Sequence, residues 1–291
     1  MQIRALRMFV AVAREGSFSL AAKAVLSTQS TVSKAVKRLE DELDLVLIDR
    51  AAQGVALTDA GAVVFRRGLA ILAERDDLLV ELAELRGLKR GVLRLGLPPI
   101  GNDTLFAPSF VTFRERYPGI DIELVERGCQ DLKDLLRAGE IDLAGLLQPC
   151  GDEFAWQDVC SERVVGVVAA SHPLTAREST PIDAFADSPF LLFERGFSLN
   201  QIVLAACRRS GFTPNVAARS TQVEFLFDLI AAGVGVGFLP RMMVETRQHD
   251  GIRAIALDDP EMRWHMTLAW RRGGYLSEAA KAWLSLTRRP A

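Results

Sequence analysis

The spacing of apolar residues changes twice along the chain and predicts three structural regions. Residues 1–58 contain short helical periods, residues 59–88 contain one long helical repeat, and residues 89–291 alternate between strand and helix patterns. Residues 2–15 open the first region as a helix with its apolar residues on one face: Ile3, Leu6, Phe9, Val10 and Ala13. This helix is expected to close a small core behind the segments that follow.

The stretch from Gly16 to Leu43 predicts two amphipathic helices joined by a tight turn. Each has an apolar face for a shared core: Phe18, Ala21, Ala22 and Val25 in the first, and Val32, Val36, Leu39 and Leu43 in the second. Leu26, Ser27 and Thr28 form the turn, and Thr28 is a suitable N-cap because its hydroxyl accepts a free amide of the next turn. An ordinary surface helix would explain the second segment alone, but the pair favours a helix-turn-helix.

The polar face of the second helix suits the major groove of DNA. Glutamine bridges adenine, lysine reaches guanine, and hydroxyls and cations bind phosphate oxygens. Charge supports this interpretation, because residues 1–39 contain seven basic residues and one acidic residue, although the whole chain has a net charge of −2. We therefore predict DNA contacts from the turn and this face: Ser27, Thr28, Gln29, Ser30, Thr31, Ser33, Lys34, Lys37 and Arg38.

Two short strand patterns follow the helix pair. Leu45-Val46-Leu47-Ile48 and Gly54–Leu57 flank Ala51-Ala52-Gln53, which predicts a small hairpin, or wing, beside the second helix. The head over residues 1–58 is therefore predicted to be a winged helix-turn-helix.

A set of residues at fixed spacing extends over the first sixty-odd positions: Phe9, Gly16-Ser17-Phe18, Ala21-Ala22, Gln29, Val32-Ser33, Leu39-Glu40, Leu43, Leu47, Arg50, Leu57-Thr58 and Ala60-Gly61. This set resembles the LysR-type transcriptional regulators. The chain departs from the family pattern at Ser30, where proline is usual, and at the wing tip, which is often basic. The resemblance implies a DNA-binding regulator with a small-molecule-sensing domain, and it adds Arg50 to the predicted DNA contacts.

Thr58 is expected to cap a long helix that reaches about Arg86. Two seven-residue apolar series lie side by side on it: Val64, Ile71, Leu78 and Leu85, and Phe65, Leu72 and Leu79. Such a repeat favours pairing with another helix, so residues 59–88 are predicted to form a homodimer, and Gly68 indicates a close helix contact. A core helix of a monomer is the alternative. The family resemblance implies a homotetramer made from two such dimers.

The region from residue 89 alternates between short strands and helices. Strands are predicted at Val92–Leu97, Ile120–Val125, Ile141–Leu147, Val164–Ala169, Phe190–Phe193, Asn215–Arg219, Val234–Phe238 and Trp264–Trp270. Helices are predicted at Asp103–Tyr117, Asp131–Ala138, Leu199–Ser210, Gln222–Ala232 and Ser277–Leu286. The alternation predicts an α/β fold with mostly parallel sheets. The resemblance implies two Rossmann-like subdomains of the periplasmic-binding-protein type, subdomain I at 89–161 and 265–291 and subdomain II at 162–264.

The loops after the predicted strands mark a candidate ligand cleft. In such sheets ligands bind at the carboxyl ends of strands, where helix N-termini present free amides. Similarity to the family places effector contacts in these loops: Pro99, Ile100, Gly101, Asn102, Cys129, Gln130, Gln148, Arg195, Phe197, Ser198 and Thr221. These groups favour a small anion such as a carboxylate, with a ring that Phe197 contacts. Ser198 and Thr221 are also expected to be helix caps, with or without a ligand.

Other functional classes find little support in the sequence. The three histidines are far apart, and the chain lacks the HExxH, GxSxG and P-loop motifs, so neither an enzyme nor a cofactor or metal site is expected. A solute-binding protein of this fold would have a signal peptide and no basic head. No segment has the pattern of a signal peptide or a membrane span, so we expect a cytoplasmic protein without a membrane partner.

The four cysteines leave a second sensing mechanism open. Cys129, Cys150, Cys160 and Cys207 form no CxxC pair, which favours reduced thiols. Cys129 is expected at a helix N-terminus, which lowers the pKa of a thiol and would make it the most reactive of the four. A metabolite sensor is therefore the favoured function, and a thiol-based redox regulator of the same fold is the alternative.

Overall fold

The structure, a computed structural model, describes residues 1–49, 55–85, 91–247 and 249–288. The chain divides into two units, Met1–Gly87 with Arg137–Glu140, and Leu88–Leu136 with Ile141–Ala291. The predicted wing tip Ala51-Ala52-Gln53, the predicted DNA contact Arg50 and the predicted end of the long helix near Arg86 lie outside the described residues.

The N-terminal unit begins with the three predicted helices, α1 (Ile3–Glu15), α2 (Phe18–Ala24) and α3 (Gln29–Leu43). Their predicted apolar faces form one core, in which these side chains are fully enclosed: Leu6, Phe9, Ala21, Val32, Val36 and Leu39. Ile3 is instead exposed, because it is the first residue of α1. The Thr28 hydroxyl accepts the backbone N–H of Thr31 at 3.3 Å, which confirms the predicted N-cap of α3.

A buried carboxylate fixes the chain between α3 and the hairpin. Glu40, on the core side of α3, accepts the backbone N–H groups of Leu47 at 2.9 Å and Ile48 at 3.2 Å through Oε1. The hairpin consists of β1 (Ile48–Asp49) and β2 (Ala56–Leu57), which pair antiparallel. Both strands are shorter than predicted. Leu45 and Val46 are exposed and precede β1, since the chain is still leaving α3 there.

The long helix α4 (Asp59–Leu85) follows directly. Thr58 caps it as predicted, since its hydroxyl accepts the N–H of Gly61 at 3.0 Å and donates to the carbonyl of Val46 at 2.7 Å. Gly68 permits the expected close contact, because a Cβ there would lie 2.9 Å from Cδ1 of Leu6 on α1. The first half of α4 packs on the head core through Val64, Phe65 and Leu72. Its second half has exposed apolar residues: Leu78, Leu79, Leu82 and Leu85.

The C-terminal unit contains ten strands and seven α-helices among its described residues. The strands are β3 (Gly91–Leu97), β4 (Ile120–Glu126), β5 (Leu143–Leu147), β6 (Phe154–Ala169), β7 (Ser179–Thr180), β8 (Phe190–Phe193), β9 (Val216–Ser220), β10 (Gly237–Pro240), β11 (Ile252–Leu257) and β12 (Arg263–Arg271). The helices are α5 (Asn102–Leu105), α6 (Ala107–Arg116), α7 (Cys129–Arg137), α8 (Ser198–Arg209), α9 (Val223–Ala231), α10 (Arg241–Arg247) and α11 (Glu278–Thr287). Two short 3-10 helices lie at Pro173–Ala176 and Ile182–Phe185.

The main sheet is mixed, so the prediction of mostly parallel sheets was wrong. Its order is β4-β3-β5-β12-β6-β11-β7, with β10 also paired to β6, while β8 and β9 form a separate parallel pair. β3 is parallel to β4 and β5, whereas β12 is antiparallel to β5 and β6, and β6 is antiparallel to β10 and β11. The antiparallel pairs arise because β6 and β12 carry the chain out along the sheet and back again.

β6 changes partners along its length. Residues 154–163 pair with β12, and residues 164–169 pair with β10 and β11. We call β4, β3, β5, β12 and residues 154–163 the first half-sheet, and residues 164–169 with β10, β11 and β7 the second half-sheet. The sequence predicted only the second portion of β6, since Gln157, Asp158 and Glu162 interrupt the apolar pattern of the first.

Three further predictions of secondary structure need correction. The helix predicted at Asp103–Tyr117 is broken at Phe106 into α5 and α6, where Pro108 occupies the first turn of α6. The strand predicted at Val234–Phe238 begins only at Gly237, and α7 begins earlier than predicted, at Cys129. Helix α10 and strands β7 and β11 were not predicted.

Candidate DNA-binding face and effector cleft

The predicted DNA contacts are gathered on the exposed side of α3 and its preceding turn. Nine of the ten predicted residues lie there, opposite the buried Val32, Val36 and Leu39, and the tenth, Arg50, is not among the described residues. Gln29, Ser30, Lys34, Lys37 and Arg38 are exposed, and Ser27, Thr31 and Ser33 are partly exposed.

Local bonds organise the first turn of α3. The Ser19 hydroxyl of α2 donates to Oε1 of Gln29 at 3.0 Å. The Thr28 hydroxyl lies 3.2 Å from that of Ser30 and 2.8 Å from that of Thr31. The N-terminal side chains of α3 are therefore held before any ligand arrives.

One cation further along α3 lies beside a carboxylate. Lys37 forms an ion pair with Asp41 one turn later, Nζ to Oδ1 at 2.8 Å. A surface pair of this kind contributes little to stability, but it positions the ammonium along the helix. Asp41 is not among the predicted site residues, although its i,i+4 spacing from Lys37 is sufficient to predict the ion pair from the sequence.

The turn before α3 contains an unusual backbone conformation. Leu26 has φ +51° and is 95% exposed. Leucine rarely adopts left-handed geometry, because its Cβ approaches the following carbonyl oxygen. A strained and solvent-exposed leucine therefore lies directly beside the predicted recognition helix.

A shallow cleft, whose volume of about 290 Å³ includes open solvent, lies among the loops after β3, β4 and β8 and the end of β5. Its lining combines the loops after β3 and β4 and the last residue of β5 with the β8–α8 loop, the start of α8 and two residues of β12: Pro98, Pro99, Ile100, Gly128, Cys129, Leu147, Phe197, Ser198, Leu199, Trp264 and Met266. Five predicted effector residues belong to it, namely Pro99, Ile100, Cys129, Phe197 and Ser198. Sequence reasoning missed Trp264 and Met266, because apolar residues in a strand pattern give no signal that separates a cleft from a core.

The other six predicted effector residues do not line this cleft. Gly101 lies beneath Trp264, where a Cβ would be 2.7 Å from Cη2 of the indole, and Asn102 donates from Nδ2 to Glu126 Oε1 at 2.9 Å. Gln148 accepts the N–H of Cys150 through Oε1 at 3.2 Å. Gln130, Arg195 and Thr221 are exposed.

The predicted helix caps at the cleft were wrong. Helix α8 has Phe197 as its N-cap and α9 has Gln222, and neither makes a side-chain capping bond. Ser198 and Thr221 are therefore not capping residues. The hydroxyl of Ser198 lies instead on the first residue of α8, within the cleft lining.

Backbone contacts set the walls of the cleft. Asn200, buried on α8, accepts the N–H of Phe193 at 3.1 Å and donates to the carbonyls of Phe193 and Glu194 at 2.8 and 2.9 Å. The Phe193 and Phe197 rings stack with centroids 5.3 Å apart. Opposite them, a Cβ on Gly128 would lie 3.3 Å from the carbonyl oxygen of Gly196. The first turns of α7 and α8 thus face a mostly apolar space.

All four cysteines are buried thiols that form no disulfide. Burial raises the pKa of the Cys207 thiol to about 11 and also raises the pKa of the Cys150 thiol. Cys160 lies 3.8 Å from the sulfur of Met242. Only Cys129 among them lines the cleft, at the first residue of α7.

Within the described ranges, the structure contains neither a membrane-spanning helix nor a cluster of metal-ligating side chains. Among those residues, no helix has the length and apolar character needed to cross a membrane. The same part of the chain contains no group of three or more histidine, cysteine, aspartate or glutamate side chains arranged to hold a metal ion.

Comparison with known proteins identifies the class of this two-part architecture. A family profile described as "LysR substrate binding domain" matches residues 86–290, and one described as "Bacterial regulatory helix-turn-helix protein, lysR family" matches residues 3–62. The chain belongs to the LysR family of bacterial transcriptional regulators, with an N-terminal helix-turn-helix and a C-terminal effector-binding domain.

Individual relatives share nearly the whole length. The HTH-type transcriptional regulator YwbI of Bacillus subtilis is 32% identical over 99% of this chain and 96% of its own. A "Probable hydrogen peroxide-inducible genes activator" of Streptomyces viridosporus is 33% identical over 92% of this chain and 87% of its own. A full-length OxyR variant from Pseudomonas aeruginosa has a TM-score of 0.62 at 25% identity, covering 99% of this chain and 100% of that one.

Proposed function

We propose that this chain recognises operator DNA through α3 and changes its regulatory output when a small carboxylate occupies the cleft. The observation that carries the DNA part is the exposed polar face of α3, with an organised first turn and the positive charge of residues 1–39. Since its target would be chromosomal DNA, we expect the protein in the cytoplasm.

The DNA proposal predicts two different effects on binding. Gln29→Ala should lose base discrimination, worth roughly 1–3 kcal/mol for a bidentate contact. Lys34→Ala should weaken binding to every sequence and reduce the salt slope by about one unit. Titrations on specific and random duplexes at several salt concentrations measure both. Equal weakening of both duplexes by Gln29→Ala would show that Gln29 does not read bases.

The ligand proposal rests on the composition of the cleft. Pro99, Ile100, Trp264 and Met266 offer an apolar wall, while the polar groups of the lining are concentrated at the first turns of α7 and α8. Helix N-termini attract anions, and the aromatic wall suits a ring. Arg195 lies outside the lining, so the anion would be bound by helix amides and the Ser198 hydroxyl rather than by a guanidinium.

A thermal-shift comparison of matched ligands tests this proposal. Benzoate and phenylacetate should raise the melting temperature by mass action, whereas benzamide, of the same shape without charge, should not. Ser198→Ala should weaken the carboxylate effect. Equal stabilisation by benzoate and benzamide would contradict an anionic ligand, and stabilisation by neither would exclude aryl carboxylates.

The proposed response is a shift between two orientations of the predicted subdomains I and II, both of which contribute residues to the cleft lining. A ligand that contacts the loops of both changes their relative population only through its difference in affinity for the two states. We further propose that the exposed leucines of α4 form a helix pair between two subunits, and that two such dimers form a tetramer. This pairing would transmit the change to the spacing of the DNA-binding heads.

A thiol switch is the second candidate, favoured by the name of the Streptomyces relative. The buried Cys150 and Cys207 have raised pKa values, which disfavours their reactive thiolate forms. Cys129 is the remaining thiol at the cleft. A peroxide-dependent change of the operator footprint that Cys129→Ser abolishes would support the redox function, and an unchanged footprint in the wild type would exclude it.

A further inference from the structure

A hydrogen bond between the two helices of the DNA-binding head constrains the side chain most suited to base recognition. Ser19 lies on α2, ten residues before Gln29, and its hydroxyl donates to Gln29 Oε1 at 3.0 Å. Both side chains are exposed, so the bond lies at the surface rather than in the core. It therefore contributes little to folding and is available to organise a contact with a ligand.

Neither residue is occupied by capping. Ser17, not Ser19, caps α2, with its hydroxyl accepting the N–H of Leu20 at 3.4 Å. Thr28, not Gln29, caps α3. The hydroxyl of Ser19 and the side-chain amide of Gln29 therefore do not serve as N-caps.

The direction of the bond determines what Gln29 presents. A glutamine amide has one acceptor oxygen and an NH₂ group with two N–H donors, and the oxygen and the nitrogen are bonded to the same carbon. When the oxygen is held towards Ser19, the NH₂ group is turned away from α2. The major-groove acceptors are N7 and O6 of guanine, N7 of adenine and O4 of thymine. The second lone pair of Oε1 stays available for the amino group of adenine.

We infer that Ser19 is a positioning residue that fixes the Gln29 amide with its donors outward and thereby sharpens base discrimination. This inference rests on the proposed recognition of DNA by α3. A side chain that is ordered before binding loses less conformational entropy on binding, so its contact with the correct base contributes more to the free energy of binding. Without the Ser19 hydroxyl the amide can rotate and accept alternative bases.

The test compares full-length variants on duplexes that the wild type enriches from a randomised library. Ser19→Ala should lower the ratio of specific to random binding about 2- to 10-fold, the effect of one ordinary hydrogen bond. Binding to random duplexes should stay within about twofold of the wild type. Ser19→Thr keeps the hydroxyl and is the matched control, which should retain discrimination. In a Gln29→Ala background, Ser19→Ala should have no further effect.

Each other result overturns the inference. Equal weakening of specific and random duplexes, independent of Gln29, would make Ser19 a phosphate contact. Unchanged discrimination in Ser19→Ala would show that the bond has no role in recognition. Failure of the wild type to enrich any motif would instead refute the proposed sequence-specific binding itself, and this inference with it, so the two failures are distinguishable.

Discussion

Removal of the buried carboxylate of Glu40 should destabilise the DNA-binding head more than any nearby surface change. Glu40 Oε1 accepts the backbone N–H groups of Leu47 and Ile48 and so connects α3 to the start of the hairpin. Glu40→Ala leaves both amides without this acceptor. Glu40→Gln keeps an oxygen in the same place but removes the charge.

The structure sets the size of the effect. A hydrogen bond to a charged group contributes about 1.5–3 kcal/mol, and an unsatisfied buried amide costs about 1–3 kcal/mol. Because the two bonds share one oxygen, we expect about 3–5 kcal/mol for Glu40→Ala rather than the full sum, and about 1–2 kcal/mol for Glu40→Gln. Since about 1 kcal/mol shifts the melting temperature of a unit of this size by roughly 4–8 °C, Glu40→Ala should lower the head transition by more than about 10 °C.

Calorimetry of the full chain measures the transition, and hydrogen exchange at Leu47 and Ile48 locates the loss. Asp41→Ala is the matched control, because Asp41 is the next residue, is exposed and pairs with Lys37 at the surface, so its loss should change stability by at most about 0.5 kcal/mol. A cost below about 1 kcal/mol for Glu40→Ala, or equal costs for the alanine and glutamine variants, would refute the role of the accepted hydrogen bonds.

Three further predictions follow from individual contacts. Leu79→Glu should convert the protein to a smaller oligomer in sedimentation velocity, because it places a charge on the exposed leucine surface of α4. Val63→Glu, at an exposed site near the start of α4, should not change the oligomer. An unchanged sedimentation coefficient for Leu79→Glu would argue against the helix pair. Leu26→Asn should raise the free energy of unfolding by about 1 kcal/mol, because asparagine tolerates the left-handed conformation better than leucine. The control Leu20→Asn, within α2, should lower the free energy of unfolding. A urea titration that shows no gain for Leu26→Asn would contradict the strain. Gly101→Ala should lower the free energy of unfolding by about 1–3 kcal/mol more than Gly211→Ala does. Both glycines have positive φ, but only Gly101 faces an indole, that of Trp264. Equal losses of stability in the two variants would exclude this contact.

The sequence predicted the head well because its signals are local. The helical spacing of Phe9, Val32, Val36 and Leu39 is decided within a few turns, and the Thr28 cap acts on the third residue after it. Glu40 could be recognised as part of a family pattern, but its role depends on amides seven and eight residues later, which no periodicity reveals.

The sheet and the cleft depended on information that local patterns do not contain. Strand direction in the first half-sheet is decided by β12, which enters from far along the chain and reverses the expected parallel order. Likewise, Trp264 lines the cleft because it comes to rest over Gly101, and that contact joins residues more than 160 positions apart. Polar loop residues were the natural candidates from sequence, yet most of the cleft surface is apolar.

The central place of β12 has a consequence for synthesis of the protein. β12 lies between β5 and β6, but the ribosome reaches it only at Arg263, after every other strand of the sheet has been made. The strands of the second half-sheet are complete at Leu257 and can pair while translation continues. In contrast, the strand that lies between β5 and the first part of β6 is missing until β12 has been synthesised. For that interval both strands present open edges, which are the sites where chains associate wrongly. A chain that stops shortly before Arg263 would leave this gap permanently, so chains truncated there should aggregate rather than yield a shorter functional protein.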